Sequence, residues 1–160
     1  MFVRHPRVVI YDECDPREKV AEIVDRAIRT ARGKDIYDEL VIGVDPGERI
    51  GVAAIADGKI WKVGCCSGAG KAATIIGGIL KDVEARRKVV RVGANSKSHQ
   101  YPLILALNQT LPSNVELERV PEESTTREST CGRPRRRGLR DINSAVKIST
   151  RKGRSIKRGP

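Results

Sequence analysis

The sequence predicts an α/β fold: a mixed five-stranded sheet, antiparallel over its first three strands and parallel over its last two, flanked by helices. Three observations carry that prediction. Three short apolar runs between Leu40 and Cys65 are separated only by turn residues, Pro46-Gly47 and Asp57-Gly58, and strands joined so closely can only form an antiparallel meander. Beyond them, segments with apolar residues at three- and four-residue steps alternate with apolar runs, the pattern of parallel strands joined by right-handed crossovers. A chain of 160 residues suffices for one compact domain but not for two well-packed ones.

In chain order, residues 2–11 (FVRHPRVVIY) read as a short valine-rich strand with Pro6 at its edge or start. Asp15-Pro16 opens a helix, Asp15 as cap and Pro16 at the first helical position, and Gly33 ends it. Val20, Ile23, Val24, Ala27 and Ile28 fall on one apolar stripe of that helix. This strand–helix unit, residues 1–38, reads as an N-terminal extension, either a small lobe or a flanking layer. The main domain spans 39–150. Its strands are expected at 40–44, 50–56, 59–65, 89–94 and 115–120, and its helices at 71–87, 101–107 and 142–149. Residues 151–160 read as a basic C-terminal tail.

Composition narrows the setting. The core is aliphatic, with a single Phe and a single Trp. No apolar run approaches the ~20 residues that cross a bilayer, and no apolar stretch follows the charged opening as in a secretory signal. A cytoplasmic protein with no membrane partner is therefore expected. Cys14, Cys65, Cys66 and Cys131 form no CxxC pair and only His5 and His99 accompany them, which argues against structural zinc. On a strand, Cys65 and Cys66 face opposite sides. The net charge of +11 is concentrated: residues 127–160 hold twelve basic groups against Glu128 and Asp141, and the rest of the chain is close to neutral. A neutral body with a strongly basic end predicts a polyanion partner, although a solvated tail that only aids solubility has the same composition.

The chemistry concentrates in residues 41–53, VIGVDPGERIGVA. A carboxylate at the end of a central apolar strand is costly to bury unpaired, and the flanking glycines leave room for backbone or ligand. Asp-Pro-Gly is also ordinary turn chemistry, in which Asp45 bonds its own backbone. The whole pattern, with Gly51 restarting the second strand, favours function.

The stretch IGVDPGERIGVAAIAD resembles the first motif of RuvC-type Holliday junction resolvases and of the related YqgF family, both of RNase H-like fold. VRVGAN at 90–95 is similar to the YqgF fourth strand, which ends in glycine where RuvC proteins carry glutamate. Residues 120–126, VPEESTT, resemble the YqgF motif after the fifth strand, and 140–146, RDINSAV, resemble its last helix. The resemblance covers roughly residues 40–149 and is closest to the YqgF branch. It implies Asp45, Glu122 and Asp141 as catalytic, metal-binding carboxylates for Mg²⁺ or Mn²⁺. Pro121 and Glu123 replace the family's aspartate and arginine, so Glu123 is a further metal ligand that can exchange roles with Glu122. Ser144 replaces a second RuvC aspartate, and Asn95 offers at most a neutral oxygen. Asp141 also reads as a helix N-cap, and both roles can coexist.

Hard divalent cations take oxygen ligands and keep several waters, so two or three carboxylates suffice. Lys97, Arg133, Arg135, Arg136, Arg137 and Arg140 are expected to contact phosphates, the run CGRPRRRG forming a basic loop beside the site. The expected function is a metal-dependent endonuclease acting on structured nucleic acid, a Holliday junction resolvase-like enzyme. Branched DNA is the first choice of substrate and structured RNA the second. Few aromatics are present to stack bases, so backbone shape and charge dominate recognition. The alternative is a binding protein that keeps the fold without catalysis. A third class, the sugar kinase and chaperone ATPase type of phosphate-binding fold, is disfavoured by Glu48 and by the small size. Symmetric cleavage of two strands implies a homodimer, with the 2–11 strand and the 16–32 helix as candidate surfaces.

Overall fold

Both faces of the central strands are apolar, so the sheet they form is covered on both sides rather than on one. The structure, a computed structural model, describes residues 17–94, 97–121 and 137–157. Helix α1 (Arg17–Ala31) precedes β1 (Tyr37–Asp45), β2 (Ile50–Ala56) and β3 (Lys59–Cys66). There follow α2 (Ala69–Asp82), β4 (Ala85–Gly93), α3 (Lys97–Thr110), β5 (Val115–Val120), α4 (Arg137–Thr150) and β6 (Arg154–Ser155). The sheet order is β3-β2-β1-β4-β5-β6. β1, β2 and β3 pair antiparallel, β1, β4 and β5 pair parallel, and β6 pairs antiparallel to β5.

The fold is therefore α/β with a mixed sheet flanked by helices, as expected, but the sheet has six strands rather than five. The sixth lies inside the segment read as a basic tail. Two residues carry no alternation that would announce a strand; tertiary anchoring makes it. The Ile156 amide donates to the Leu117 carbonyl at 2.8 Å, and Gly153 packs so close to Glu118 that a Cβ there would sit 2.7 Å from the Glu118 Cβ.

One core lies beneath α2 and α3, built from Leu40, Ile42, Val44, Val52, Val90, Val92 and Leu117 of the sheet with Ile76, Leu103 and Leu107 of the helices. On the other face α4 covers Val41, Ala53 and Val89, using Ala145 and Ile148. The Asp57-Gly58 hairpin turn is as expected, both residues at positive φ (47° and 75°), a conformation Asp and Gly tolerate. Asp57 accepts from the amides of Asp38 and Glu39 and from Lys34, and these bonds outweigh burial and hold its carboxyl below the usual range.

Other boundaries moved for physical reasons. The helix expected to reach residue 87 ends at Asp82, because Val83 turns extended and Ala85 begins pairing with β1. The charges at 86–88 look like a helix surface in sequence, yet they form the opening of β4, where Arg87 reaches Glu39 and Glu116 across the sheet. Helix α3 is longer than 101–107 and carries Pro102 inside it, so one intrahelical amide bond is not made there. The apolar stripe of α1 is partly exposed: Val20, Val24 and Ile28 are 36–51% exposed. The helix buries Asp25, which accepts from Arg29, the Tyr37 hydroxyl (2.9 Å) and the Trp61 indole (2.7 Å). Burial and the Asp25 carboxylate together push the Tyr37 phenol up to about 12. The strand expected at 2–11 lies outside the described residues.

Candidate active site

Side chains on a strand alternate, so Val41, Gly43 and Asp45 of β1 share the face that carries α4. Gly43 explains why α4 can approach there: a Cβ on it would fall on the Ala145 carbonyl and 2.7 Å from the Ser149 amide nitrogen. Gly51 has the same role one strand over, where a Cβ would meet the Asp141 carbonyl. Of the glycines on either side of Asp45, read from sequence as space for backbone or ligand, Gly43 is filled by helix backbone, while a Cβ on Gly47 would lie 3.1 Å from the Arg49 carbonyl of the turn.

That packing fixes two carboxylates. Asp45 is the direct antiparallel partner of Gly51. Opposed residues of such a pair have Cβ positions ~5 Å apart, and the Gly51 Cβ position lies 3.2 Å from the Asp141 Cβ. The Asp45 and Asp141 Cβ atoms therefore stand within roughly 9 Å of each other on one sheet face, each residue half-buried. Asp141 is not the N-cap of the last helix, because α4 begins at Arg137 and continues through it. Its place in the second turn, four residues before Ala145, points it to the sheet rather than to its own amide ends.

Around this pair the carboxyl ends of β1, β4 and β5 converge with the amino end of α4. Arg49 donates from Nη2 to the Cys65 sulfur at 2.8 Å, beside Gly138. Cys65 opposes Gly51 from the side away from Asp45, and Cys66 points into the core, where burial pushes its thiol up. The Ala94 amide donates to the Val120 carbonyl at 3.0 Å, which keeps β4 and β5 paired to the edge where Pro121 leaves the sheet. Buried Gln100 donates to the Gly93 carbonyl at 3.0 Å and so fixes the turn from β4 into α3.

A residue pair that sequence reading missed holds the helix in place. Arg91, on β4 opposite Gly43, donates to Glu118 of β5 at 2.8 Å and to the Ser149 carbonyl of α4 at 2.6 Å. All three are buried. A guanidinium at the last turn of a helix satisfies a terminal carbonyl and complements the helix dipole. Arg91 stands between valines in VVRVG, and a charge inside an apolar strand is itself a signal of a buried partner.

The predicted site residues divide. Asp45 and Asp141 are brought together. Arg140 is exposed on α4, while Lys97 and Arg137 open α3 and α4. Glu122, Glu123, Asn95, Arg133, Arg135 and Arg136 lie outside the described residues, as does most of the expected basic loop; Glu122 follows the described Pro121 directly. Among the described residues no three His, Cys, Asp or Glu side chains form a cage for a metal ion. Two half-buried carboxylates flanking a bare glycine nonetheless suit a hard cation that keeps most of its waters. Also among the described residues, no helix is long and apolar enough to cross a membrane. Compared with family models, curated proteins and solved structures, the chain has no match in any of the three.

Proposed function

We propose that the chain is a metal-dependent endonuclease of RNase H-like fold that cuts phosphodiester bonds in structured nucleic acid, in the manner of a Holliday junction resolvase. The observation that carries this reading is the approach of Asp45 and Asp141 across Gly51 at the carboxyl edge of the parallel strands. Further support comes from the order β3-β2-β1-β4-β5 with a last helix laid across β1 and β2, and from the crevice outside strand carboxyl ends being where open α/β sheets bind ligands.

Asp45 and Asp141 would hold Mg²⁺ or Mn²⁺, with Glu122 and Glu123 entering from the chain that leaves β5 at Pro121. Bound there, such an ion would supply Lewis-acid polarisation of a phosphoryl oxygen and a more acidic water. The protein's own part is positional. Gly43 and Gly51 admit α4, Arg91 pins its end, and the two carboxylates are thereby oriented before the substrate arrives. Arg49, Arg140 and the amino end of α4 place positive charge beside a phosphate that two carboxylates would otherwise repel.

The test is cleavage of a labelled four-way DNA junction and of a structured RNA, each with Mg²⁺, with Mn²⁺ and with EDTA. Wild type cuts only with metal, and Asp45→Asn lowers the rate at least ~10³-fold, the loss of an interaction made in the transition state. Salt-sensitive binding with no cutting under any metal would instead identify a binding protein that keeps the fold without catalysis.

A further inference from the structure

Like charges placed directly opposite on neighbouring strands destabilise a sheet, so such a pair calls for a compensating partner. Arg119 of β5 and Arg154 of β6 are Cα partners in an antiparallel pair, and both are exposed. Opposed residues of such a pair project to the same face. Among the described residues neither arginine has an ion-pair partner, whereas Arg87 and Arg91, on the neighbouring strand β4, are matched to glutamates. The two arginines line a cleft of about 270 Å³ with Ala94 and Pro121, at the carboxyl ends of β4 and β5.

Its place in the fold is built. Gly153 seats against Glu118, the Ile156 amide bonds the Leu117 carbonyl, and the Ile156 side chain packs on the core. Arg154 is thus held by flanking residues on both sides and is not carried on a free tail. Arg119 lies two residues from Leu117 and shares its face, the one that carries α3, so the pair opens on the face opposite α4 and its carboxylates. Pro121 of the cleft is the residue next to Glu122.

We propose that Arg119 and Arg154 form a phosphate-binding cleft that grips the backbone of nucleic acid next to the carboxylate edge. Two guanidinium forks facing one anion satisfy the charge that their register concentrates, and phosphate geometry matches such forks. The sheet edge then separates two tasks: carboxylates on the α4 face, and a strand clamp on the α3 face. Naming the anion as a nucleic-acid backbone rests on the nuclease reading; the cleft and its charge do not.

The test measures binding without cleavage. Fluorescence anisotropy follows a labelled four-way DNA junction and a hairpin RNA in EDTA over a series of salt concentrations. It compares wild type, Arg119→Gln/Arg154→Gln, and Lys59→Gln/Lys62→Gln, which removes the same charge from β3 at the far edge of the sheet. The arginine variant is expected to bind about tenfold more weakly at moderate salt and to lower the slope of log affinity on log salt by about 1 to 2, with the lysine variant near wild type. Removing two opposed like charges leaves the melting temperature unchanged or raised, which separates lost contacts from lost fold. An arginine variant no weaker than the lysine variant would overturn the proposal. So would a wild type that binds inorganic phosphate through these arginines but no nucleic acid, which would assign the cleft to free phosphate. Because cleavage is not read, a protein that shows the slope change yet never cuts would sink the nuclease reading alone.

Discussion

The two ends of the parallel strands are built on opposite electrostatic plans. At the amino ends, charges come in matched sets. Arg87 joins Glu39 and Glu116, and Lys34 joins Asp38 and Asp57. At the carboxyl ends Asp45 and Asp141 stand on either side of Gly51, and two arginines face each other across a strand pair. Charges paired with one another leave little for a ligand to do. Like charges opposed across a strand pair are costly to the isolated protein, and an arriving anion lowers that cost.

Between the two ends runs the strut that keeps them apart, and breaking it should have the largest effect. Arg91→Ala leaves Glu118 short of its closest partner and the last turn of α4 without its donor, at a cost of about 3 kcal/mol in urea unfolding. Arg91→Met with Glu118→Leu should recover most of that loss, because no charge is left stranded. If the single and double variants are equally unstable, the pair is not what holds α4.

Lifting α4 directly is the next largest perturbation. Gly51→Val drives methyl groups into the Asp141 backbone and should cost about 2 kcal/mol by thermal melting, with loss of metal-dependent activity beyond what the stability change explains. Gly64→Val, where nothing lies within 4 Å of a Cβ, is the matched control and should leave the fold near wild type. Equal effects at the two positions would contradict the close helix contact.

The smallest effect belongs to the matched end. The Arg87 hydrogen bond holds the Glu116 carboxyl below its ordinary range. A carboxyl depressed in the folded state contributes stability above its unfolded value, near pH ~4.3, and loses it as pH falls through the folded value. Wild type should therefore lose stability from about pH 5 downward, and Arg87→Ala should flatten that limb while costing well under ~1 kcal/mol at pH 7, since the pair is half-exposed.

Much of this contrast was legible in the sequence, but unevenly. The meander from Leu40 to Cys66, its Asp57-Gly58 turn and the strand-end position of Asp45 follow from alternation and turn chemistry, which are local. Asp141 was legible as a candidate but not as the partner of Asp45. Their approach depends on Gly43 and Gly51 admitting a helix about a hundred residues further along the chain, and each glycine alone has many explanations. Strand β6 was not legible, because two residues between Gly153 and Ile156 become a strand only through contacts to β5. On α1 the apolar spacing of Val24 and Ile28 marks a stripe but not which side of the helix is buried; that depends on the Asp25 bonds to Tyr37 and Trp61. What stays hidden in sequence is what depends on a distant partner.

The central claim is that Asp45 and Asp141 act as one site, and the most direct measurement is a Mn²⁺ titration followed by water proton relaxation. It compares wild type, Asp45→Asn, Asp141→Asn and the double variant. Wild type is expected to bind Mn²⁺, and each single variant to lose nearly as much affinity as the double, because the ion needs both oxygens. Independent, additive losses, or an Asp141→Asn protein that binds Mn²⁺ like wild type, would contradict it.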